Sequence, residues 1–343
     1  MNRKTMILFG VFLAVLIAAG IAWNIFNKEP EAEIIDDLSV FLPGVEISAL
    51  YDDGKMLWVG TSEGLYLLDR KTGELLNKAE PEIHMIYSAQ IKETPDGLIW
   101  AGHDEGLSAF DGSFKEVLRF EAPDIPEGRV NAIYVDDDGL WAGTQNGAAH
   151  LSSENGRWKT DEVLTKKTGL AEDVVQVIER VGDELWFGSY LGTGDGGISI
   201  RSNQGFKYLN VKDGIPHRYI NAILPLSDDK VLIGSGQLVY GGLSLAEKQD
   251  GNWKITMSLD QEDGIPGMKV RQLFLDSQGR LWITTEADGL IILDSPDALN
   301  DTPLKGQVIK QENGLSDDEI KCVEECDTCF WLGGKYGLTR FAK

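Results

Sequence analysis

Basic residues are scarce in this chain. Lysine and arginine number 32 against 55 aspartates and glutamates, which gives a formal net charge of -23 over 343 residues. Nucleic acids and anionic lipid headgroups are bound through their phosphates by lysine and arginine, so a strongly acidic surface opposes both. The composition therefore excludes nucleic acid as a partner. It favours a small neutral or cationic ligand, with sugars compatible, or another protein in the membrane or periplasm.

Residue types that carry catalysis or bind metal are also few. The four histidines are scattered along the chain, and no HExxH, GxSxG or P-loop motif occurs. The Asp-rich turns, such as Asp136-Asp137-Asp138-Gly139, lack the spaced oxygen ligands and the glutamate of a calcium loop, and Asp-Gly is ordinary hairpin-turn chemistry. We therefore expect no catalytic residues, no metal site and no cofactor.

Only three cysteines are present, Cys322, Cys326 and Cys329, and they lie close together near the C-terminus. A disulfide between Cys326 and Cys329 is the leading interpretation for an exported chain, with Cys322 left over. Reduced thiols are the alternative, because directly paired hairpin positions fit disulfide geometry poorly. A zinc site would need a fourth ligand, and the histidines lie far away in sequence.

Helical spacing is missing beyond the N-terminus, and a repeated strand phrase takes its place. LWVGTSEGL at Leu57 to Leu65 returns six times along the chain. The other copies are IWAGHDEGL (99–107), LWAGTQNGA (140–148), LWFGSY (185–190), VLIGSG (231–236), LWITTEADGL (281–290) and FWLGGKYGL (330–338). The tryptophan position recurs at intervals of 41 to 50 residues, which suits one four-stranded propeller blade per repeat.

The sequence thus predicts an all-β fold, a seven-bladed β-propeller of four-stranded blades over residues 37–343. After the last LW-type strand the chain runs only through YGLTRFA to Lys343, so the seventh blade lacks an outermost strand of its own. Residues Leu38 to Phe41 resemble the end of a repeat, and we expect them to supply that strand. Closure of this kind removes unpaired sheet edges.

The N-terminus carries the one long apolar run. Met6 to Phe26 has 21 residues without a charge, enough to span a bilayer, and Arg3 and Lys4 precede it. Residues 1–26 are therefore expected to be a short cytoplasmic stub and a transmembrane helix, and residues 27–36 a polar linker. The alternative is a secretory signal cleaved near residue 22. Both interpretations place the propeller on the extracytoplasmic side of the cell membrane.

The repeat resembles the two-component regulator propeller family. The resemblance is carried by DDGKMLWVGTSEGL, DDDGLWAGTQNGA and SQGRLWITTEADGL, and by the connections TGLAEDVVQVI, DGIPHRYINAI, DGIPGMKVRQL and NGLSDDEIKCV. It covers essentially Asp37 to Phe341. The family is best known from periplasmic sensor regions of bacterial hybrid histidine kinases, so the resemblance implies an exported ligand-recognition module without catalysis of its own.

Enlarged loops predict where a ligand binds. In a propeller, the loops from second to third strand and from one blade to the next share one face, and insertions there commonly mark the binding surface. The segments 188–198 and 234–243 are enlarged. The candidate ligand-binding residues on this face are Tyr190, Asp195, His217, Arg218, Tyr219, Gln237 and Tyr240.

The predicted function is that of a non-catalytic sensor or interaction module, with a separate two-component signalling partner as the output. Two alternatives stay open at this point. One is a single-propeller enzyme of the lyase or hydrolase type, because fold alone does not decide chemistry. The other is an extracytoplasmic assembly scaffold, which would need a broad protein contact.

Overall fold

A computed structural model describes residues 38–80, 83–85, 90–192, 194–237 and 240–343. The predicted transmembrane segment 6–26 and linker 27–36 lie outside these ranges. Among the described residues no helix has the length and apolar character needed to cross a bilayer. The described part of the chain forms seven antiparallel sheets of four strands each, and the first strands of successive sheets contact one another around a central channel.

Each sheet is one blade, and the repeated phrase forms its second strand and, in most copies, the start of its third. Strands are numbered β1 to β28 in chain order, and each blade is given from the channel outward. Blade 1 is β2 (Ile47–Asp52), β3 (Met56–Thr61), β4 (Gly64–Asp69) and β5 (Leu75–Lys78); blade 2 is β6 (Ile91–Glu93), β7 (Ile99–His103), β8 (Gly106–Phe110) and β9 (Glu116–Phe120). Blade 3 is β10 (Val130–Val135), β11 (Gly139–Thr144), β12 (Gly147–Glu154) and β13 (Arg157–Leu164).

The second half of the ring follows the same order. Blade 4 is β14 (Val175–Val181), β15 (Glu184–Ser189), β16 (Ile198–Ser202) and β17 (Gly205–Leu209); blade 5 is β18 (Ile220–Ser227), β19 (Lys230–Gln237), β20 (Tyr240–Gln249) and β21 (Asn252–Leu259). Blade 6 is β22 (Val270–Leu275), β23 (Leu281–Thr285), β24 (Leu290–Leu293) and β25 (Gln307–Ile309). Blade 7 is β26 (Ile320–Glu325), β27 (Cys329–Gly334), β28 (Gly337–Ala342) and β1 (Leu38–Phe41).

The outer edge of the seventh blade is formed by β1, from the other end of the chain. β1 pairs antiparallel with β28, with Leu38 opposite Phe341 and Phe41 opposite Leu338. Three short 3-10 helices, Val211–Asp213, Pro296–Asn300 and Gln311–Asn313, lie in connections among the described residues. The prediction of an all-β, seven-bladed fold of four-stranded blades is confirmed.

Tryptophan in the repeated phrase fills the space between blades. Five of these side chains, Trp58, Trp100, Trp186, Trp282 and Trp331, are essentially inaccessible to solvent. Fourth strands extend the packing, since Trp158 lies against Trp100 of the preceding blade at 4.8 Å between ring centroids. Tilted or edge-on aromatic pairs of this kind add to the free energy gained by burying their area.

Two residues after the tryptophan, five blades have a glycine and blade 6 has Thr284, and the glycine is required for a different reason. A Cβ added at Gly143 would lie 2.7 Å from Val175 of the next blade, and one added at Gly188 would lie 2.8 Å from Ile220. Such distances are shorter than carbon atoms tolerate without displacement. At these positions the glycine therefore allows the inner strand of the following blade to approach closely, which explains its place in the repeat.

Candidate functional site

The predicted binding face is built from loops of blades 4, 5 and 6. Residues 190–197 connect β15 to β16, and residues 260–269 connect blade 5 to blade 6. The enlarged connection predicted in blade 5 has a different form, because β19 and β20 continue through it as one long hairpin with Gln237 opposite Tyr240. The backbone of this hairpin packs on residues 268 and 269, where a Cβ on Gly236 or Gly241 would meet backbone atoms.

The loop after β15 is held in place by polar contacts at both sides. The buried carboxylate of Glu172 accepts a hydrogen bond from the backbone N–H of Gly194 and forms an ion pair with Lys166 at 3.1 Å. Arg218 donates to the carbonyl oxygen of Gly194 at 3.1 Å, and its own carbonyl accepts from Gly197 at 2.8 Å. These contacts hold Gly194 and Gly197 in place before any ligand arrives, which lowers the entropy cost of binding.

An aromatic cluster lies beside this loop. The rings of Tyr190 and Tyr219 are 4.9 Å apart, and His217 packs edge-on against Tyr219 at 4.7 Å. Arg218 donates to the hydroxyl of Tyr219 at 3.0 Å. The structure thus brings together four of the seven predicted residues, Tyr190, His217, Arg218 and Tyr219.

The other three predicted residues lie apart from this cluster. Asp195 points away and forms an exposed ion pair with Lys212 at 2.5 Å. Tyr240 is 72% exposed at the tip of the long hairpin, opposite Gln237. These three belong to the rim of the face, and ligand contact by any of the seven residues stays a prediction.

Lys269 was missed by the sequence analysis and completes the cluster. Its ammonium lies 3.4 Å from the hydroxyl of Tyr190 and forms an ion pair with Glu286 at 2.6 Å, although the residue is only 5% exposed. Burial lowers the pKa of Lys269, and the nearby positive charge of Arg271 acts in the same direction. Its position in the connection before β22 carries no sequence signal, because the corresponding residues of other blades, such as Tyr219 and Glu319, are of different types.

Lys269 is also the first member of an alternating chain of charges across the mouth of the channel. Glu286 contacts Arg271 at 3.0 Å, Arg271 contacts Glu319, and Lys321 lies 3.7 Å from Glu319. Lys321 then reaches Glu46 of blade 1 at 2.5 Å, so the charges connect blades 6, 7 and 1. Alternation lets each partly buried charge find an opposite partner, which offsets the cost of removing it from water. No interval in the sequence predicts this chain, because its members come from separate segments.

Two ionisable side chains of the aromatic cluster, His217 and Tyr190, favour their neutral forms. Burial lowers the pKa of His217, and the adjacent charges of Arg218 and Lys269 lower it further. Burial also raises the pKa of Tyr190, a change that the positive charge of Arg271 opposes. The cluster therefore offers neutral imidazole and phenol groups near neutral pH. Such groups suit hydrogen bonding and ring stacking with an uncharged ligand.

The cysteines lie on a different part of the molecule, at the turn between β26 and β27. Cys326 and Cys329 are joined by a disulfide with a Cα–Cα distance of 5.1 Å, and Cys322 is free and buried. Burial raises the pKa of the Cys322 thiol to about 12, which keeps it protonated and unreactive at neutral pH. Within the described part of the chain, no group of three or more residues of metal-binding type comes together.

Comparison with protein families finds the two-component regulator propeller model at two places, residues 124–146 and 264–287. Both stretches run from a connection between blades toward the second strand of the next blade. The resemblance stated from the sequence is confirmed at these two stretches. The search among curated proteins gave no significant match to this sequence.

Solved structures show the same fold. The extracellular domain of the hybrid two-component system BT4673 from B. thetaiotaomicron superimposes with a TM-score of 0.66 at 19% identity, covering 90% of this chain and 40% of that one. The extracellular domain of the hybrid two-component system BT3049 from the same organism gives 0.66 at 18% identity, covering 86% and 40%. Virginiamycin B lyase from Staphylococcus aureus gives 0.64 at 12% identity, covering 89% and 99%. The chain thus spans about two fifths of the length of the sensor domains it resembles, and at these identities the likeness concerns the fold.

Proposed function

We propose that this protein is an extracytoplasmic, membrane-anchored recognition module that binds a small neutral ligand, such as a sugar, and performs no chemistry of its own. The observation that carries the proposal is the cluster of Tyr190, His217 and Tyr219 beside the pre-shaped loop after β15. Aromatic rings with one apolar face and a polar edge suit stacking against a sugar ring together with hydrogen bonds to its hydroxyls.

Several features support the anchored, exported arrangement. The apolar run 6–26 is preceded by Arg3 and Lys4 and followed by an acidic stretch, which is the charge asymmetry expected when the N-terminus stays in the cytoplasm. The repeats matched at 124–146 and 264–287 belong to a propeller family named for two-component regulation. We infer that the output passes to a separate two-component signalling partner.

We also infer that the pairing of β1 with β28 closes the ring and links the membrane-proximal end of the propeller to its last blade. Deletion of residues 37–42 is then expected to lower the melting temperature and to promote self-association through the exposed edge of β28. An unchanged melting temperature and a monomeric profile in size-exclusion chromatography would show that β1 does not close the ring.

The test of ligand binding is a thermal-shift screen of the full-length protein in detergent against sugars, oligosaccharides, amines and metal ions. A ligand that binds only the native state raises the melting temperature by mass action. The affinity of any compound found in this way is then measured with Tyr190→Ala, with Tyr336→Ala as the matched control. Tyr336 is an exposed tyrosine in a corresponding loop of blade 7, on the same face but in another part of the ring.

Loss of about tenfold or more in affinity for Tyr190→Ala, with no change for Tyr336→Ala, is the expected result. Arg218 is a poorer choice for mutation, because it holds the carbonyl oxygen of Gly194 and its removal would disturb the loop itself. Full affinity in Tyr190→Ala would show that the binding site lies elsewhere on the protein. A screen without any shift, combined with a stable partner in a detergent pull-down, would favour the assembly scaffold.

A further inference from the structure

The central channel contains a polar cavity that the proposed function does not use. Its volume is about 130 Å³. A water molecule in liquid occupies about 30 Å³, so the space is sufficient for a few waters or one small molecule. Its wall is made by the inner strands of all seven blades and includes three cations, Lys92, Arg271 and Lys321, but one carboxylate, Glu324.

A repeated backbone irregularity places polar side chains in this wall. Near the start of the inner strand, six blades have a register shift against the second strand at the same point, and one extra residue is left unpaired by the shift. Bulges of this type redirect the extra side chain. The extra residues are Ser48, Asn131, Gln176, Asn221, Arg271 and Lys321, all polar and all in the cavity wall.

Glutamines in the wall are oriented so that they offer donors to the cavity. The backbone N–H of Val323 donates to Oε1 of Gln272 at 2.6 Å, and that of Ile133 donates to Oε1 of Gln90 at 2.6 Å. Since a backbone N–H can only donate, the side-chain oxygen must face the strand, and the amide N–H groups occupy the remaining side. The amide nitrogen of Gln272 has no acceptor among the described residues.

The cations in the wall retain unused donor capacity. Lys92 is exposed to the channel and forms no ion pair within 4 Å in the described ranges. The buried Nε of Arg271 has no hydrogen-bond partner there, although its terminal nitrogen contacts Glu286 and Glu319. A buried donor without an acceptor costs free energy unless a water or ligand supplies one.

We propose that this cavity binds a small oxyanion, either an inorganic tetrahedral anion or the carboxylate of a small organic acid, between Lys92 and the amide of Gln272. Arg271 and Lys321 are already paired with carboxylates, so Lys92 supplies the positive charge of the site. The buried Nε of Arg271 supplies a further donor beside the amide of Gln272. Oxyanions match the donor geometry because their several oxygens accept from ammonium, guanidinium and amide groups at once.

Carboxylates near Lys92 make the proposed binding sensitive to pH. Burial raises the pKa of Glu179 and of Glu324 to about 7 each, although Lys92 lowers both. Lowering the pH from 8 to 6 therefore protonates both carboxyls, which removes the negative charge of Glu324 from the wall and that of Glu179 from the vicinity of Lys92. The other titratable groups that face Glu324 are Asp52, Glu325 and Tyr51, whose pKa burial raises above its usual range.

The test is isothermal titration calorimetry of the full-length protein in detergent with sodium sulfate and, separately, with sodium acetate. Sulfate does not titrate between pH 6 and 8, so any pH dependence belongs to the protein. We expect saturable binding of at least one anion that becomes tighter at pH 6. Lys92→Met is expected to weaken it about tenfold or more, and Lys92→Arg to retain it. Tight sulfate binding would identify an inorganic oxyanion, and a preference for acetate would identify a carboxylate.

The matched control is Lys335→Met, since Lys335 lies on an exposed turn of blade 7 away from the channel. Equal affinity in wild type and Lys92→Met, or the same loss in Lys335→Met, would overturn the proposal. Crystals of the wild-type protein soaked in sodium selenate provide a second measurement that does not depend on variants. An anomalous peak between Lys92 and Gln272 is expected for an inorganic oxyanion. A cavity holding only water, together with no saturable binding of acetate in calorimetry, would contradict the proposal.

Discussion

The turns between first and second strands of blades 1 and 7 have the same backbone and different chemistry. In blade 1 the N–H of Asp53 donates to the carbonyl of Met56 at 3.2 Å, and in blade 7 Cys326 donates to Cys329 at 2.8 Å. Each turn begins five residues before the buried tryptophan of its blade, Trp58 or Trp331.

The difference lies in what connects the turn to the tryptophan. The carboxylate of Asp53 accepts from the indole N–H of Trp58 at 2.8 Å and from two backbone N–H groups of the turn. In blade 7 the disulfide closes the turn covalently, and the indole N–H of Trp331 has no partner among the described residues. The turn before the tryptophan is thus stabilised by a charge-assisted hydrogen-bond network in blade 1 and by a covalent bond in blade 7.

Asp53→Ala is expected to have the largest effect. It leaves the indole N–H of Trp58 and the backbone donors of Lys55 and Met56 without their acceptor, which costs about 3 kcal/mol by the usual penalty for unsatisfied groups. Urea unfolding followed by tryptophan fluorescence measures the change. A loss below about 0.5 kcal/mol would show that water replaces the carboxylate without cost.

Replacing both Cys326 and Cys329 by serine comes next. The disulfide closes a very short loop, so its removal costs about 2 kcal/mol in the chain-entropy description. Reduction of the wild-type protein with dithiothreitol is expected to lower the unfolding midpoint by the same amount, whereas Asp53→Ala remains as sensitive to the reductant as wild type. A midpoint that does not respond to the reductant would mean that the bond contributes no stability.

Transfer of the blade 1 turn into blade 7 tests whether the two solutions are equivalent. The variant Cys326→Asp with Cys329→Met places an acceptor at the same spacing from Trp331 that Asp53 has from Trp58. It should be about 1 kcal/mol more stable than the double serine variant, because one buried indole hydrogen bond is restored. Equal stability of the two variants would indicate that the turn in blade 7 holds the carboxylate away from the indole.

The smallest effect is a pH dependence found in acidic turns and not in the disulfide turn. In blade 6, Asp276 accepts from Trp282 at 2.9 Å and from Arg280 at 2.7 Å. Burial raises the pKa of Asp276, but these hydrogen bonds outweigh burial and leave it below the usual value. A lowered pKa contributes stability above the unfolded-state value, and this is lost as the pH falls through the folded-state value.

Asp276→Asn should therefore destabilise the protein at pH 7 and by progressively less as the pH falls below about 4, the usual aspartate range. Unfolding midpoints of both proteins between about pH 2 and pH 7 measure the difference. The double serine variant of blade 7 is the control, because its cost should stay constant over the same range. If the cost of Asp276→Asn stays constant over this pH range, the ionised carboxylate of Asp276 is not the source of the stability.

Because the sequence repeats, the fold could be predicted more completely than the candidate site. Most repeats share the same local features, which are an alternating strand, a tryptophan between blades and a glycine such as Gly143 where the next strand approaches. Leu232 replaces the tryptophan in blade 5, and Thr284 replaces the glycine in blade 6. Seven copies average out the ambiguity of any single one, so blade number and strand order follow from spacing.

The candidate site depends on side chains that no repeat interval connects. Tyr190, His217 and Tyr219 were found because enlarged loops and rim aromatics leave a visible mark in the sequence. Lys269 was not found, because a lysine in a connection gives no sign that it will be buried against a tyrosine of another blade. The rim residue Asp195 lies outside the cluster, since its side chain turns outward to Lys212.

The sequence by itself determined the all-β ring of seven blades. Packing between neighbouring blades depends on local features, and the repeated phrase carries those features. Only the tertiary structure decided which charges meet at the channel, such as Lys269 with Glu286 and Lys321 with Glu46. These contacts join residues from separate segments at distances of 2.6 and 2.5 Å. Ring closure sets such distances through the accumulated twist and spacing of all seven sheets, and no short stretch of chain contains that information.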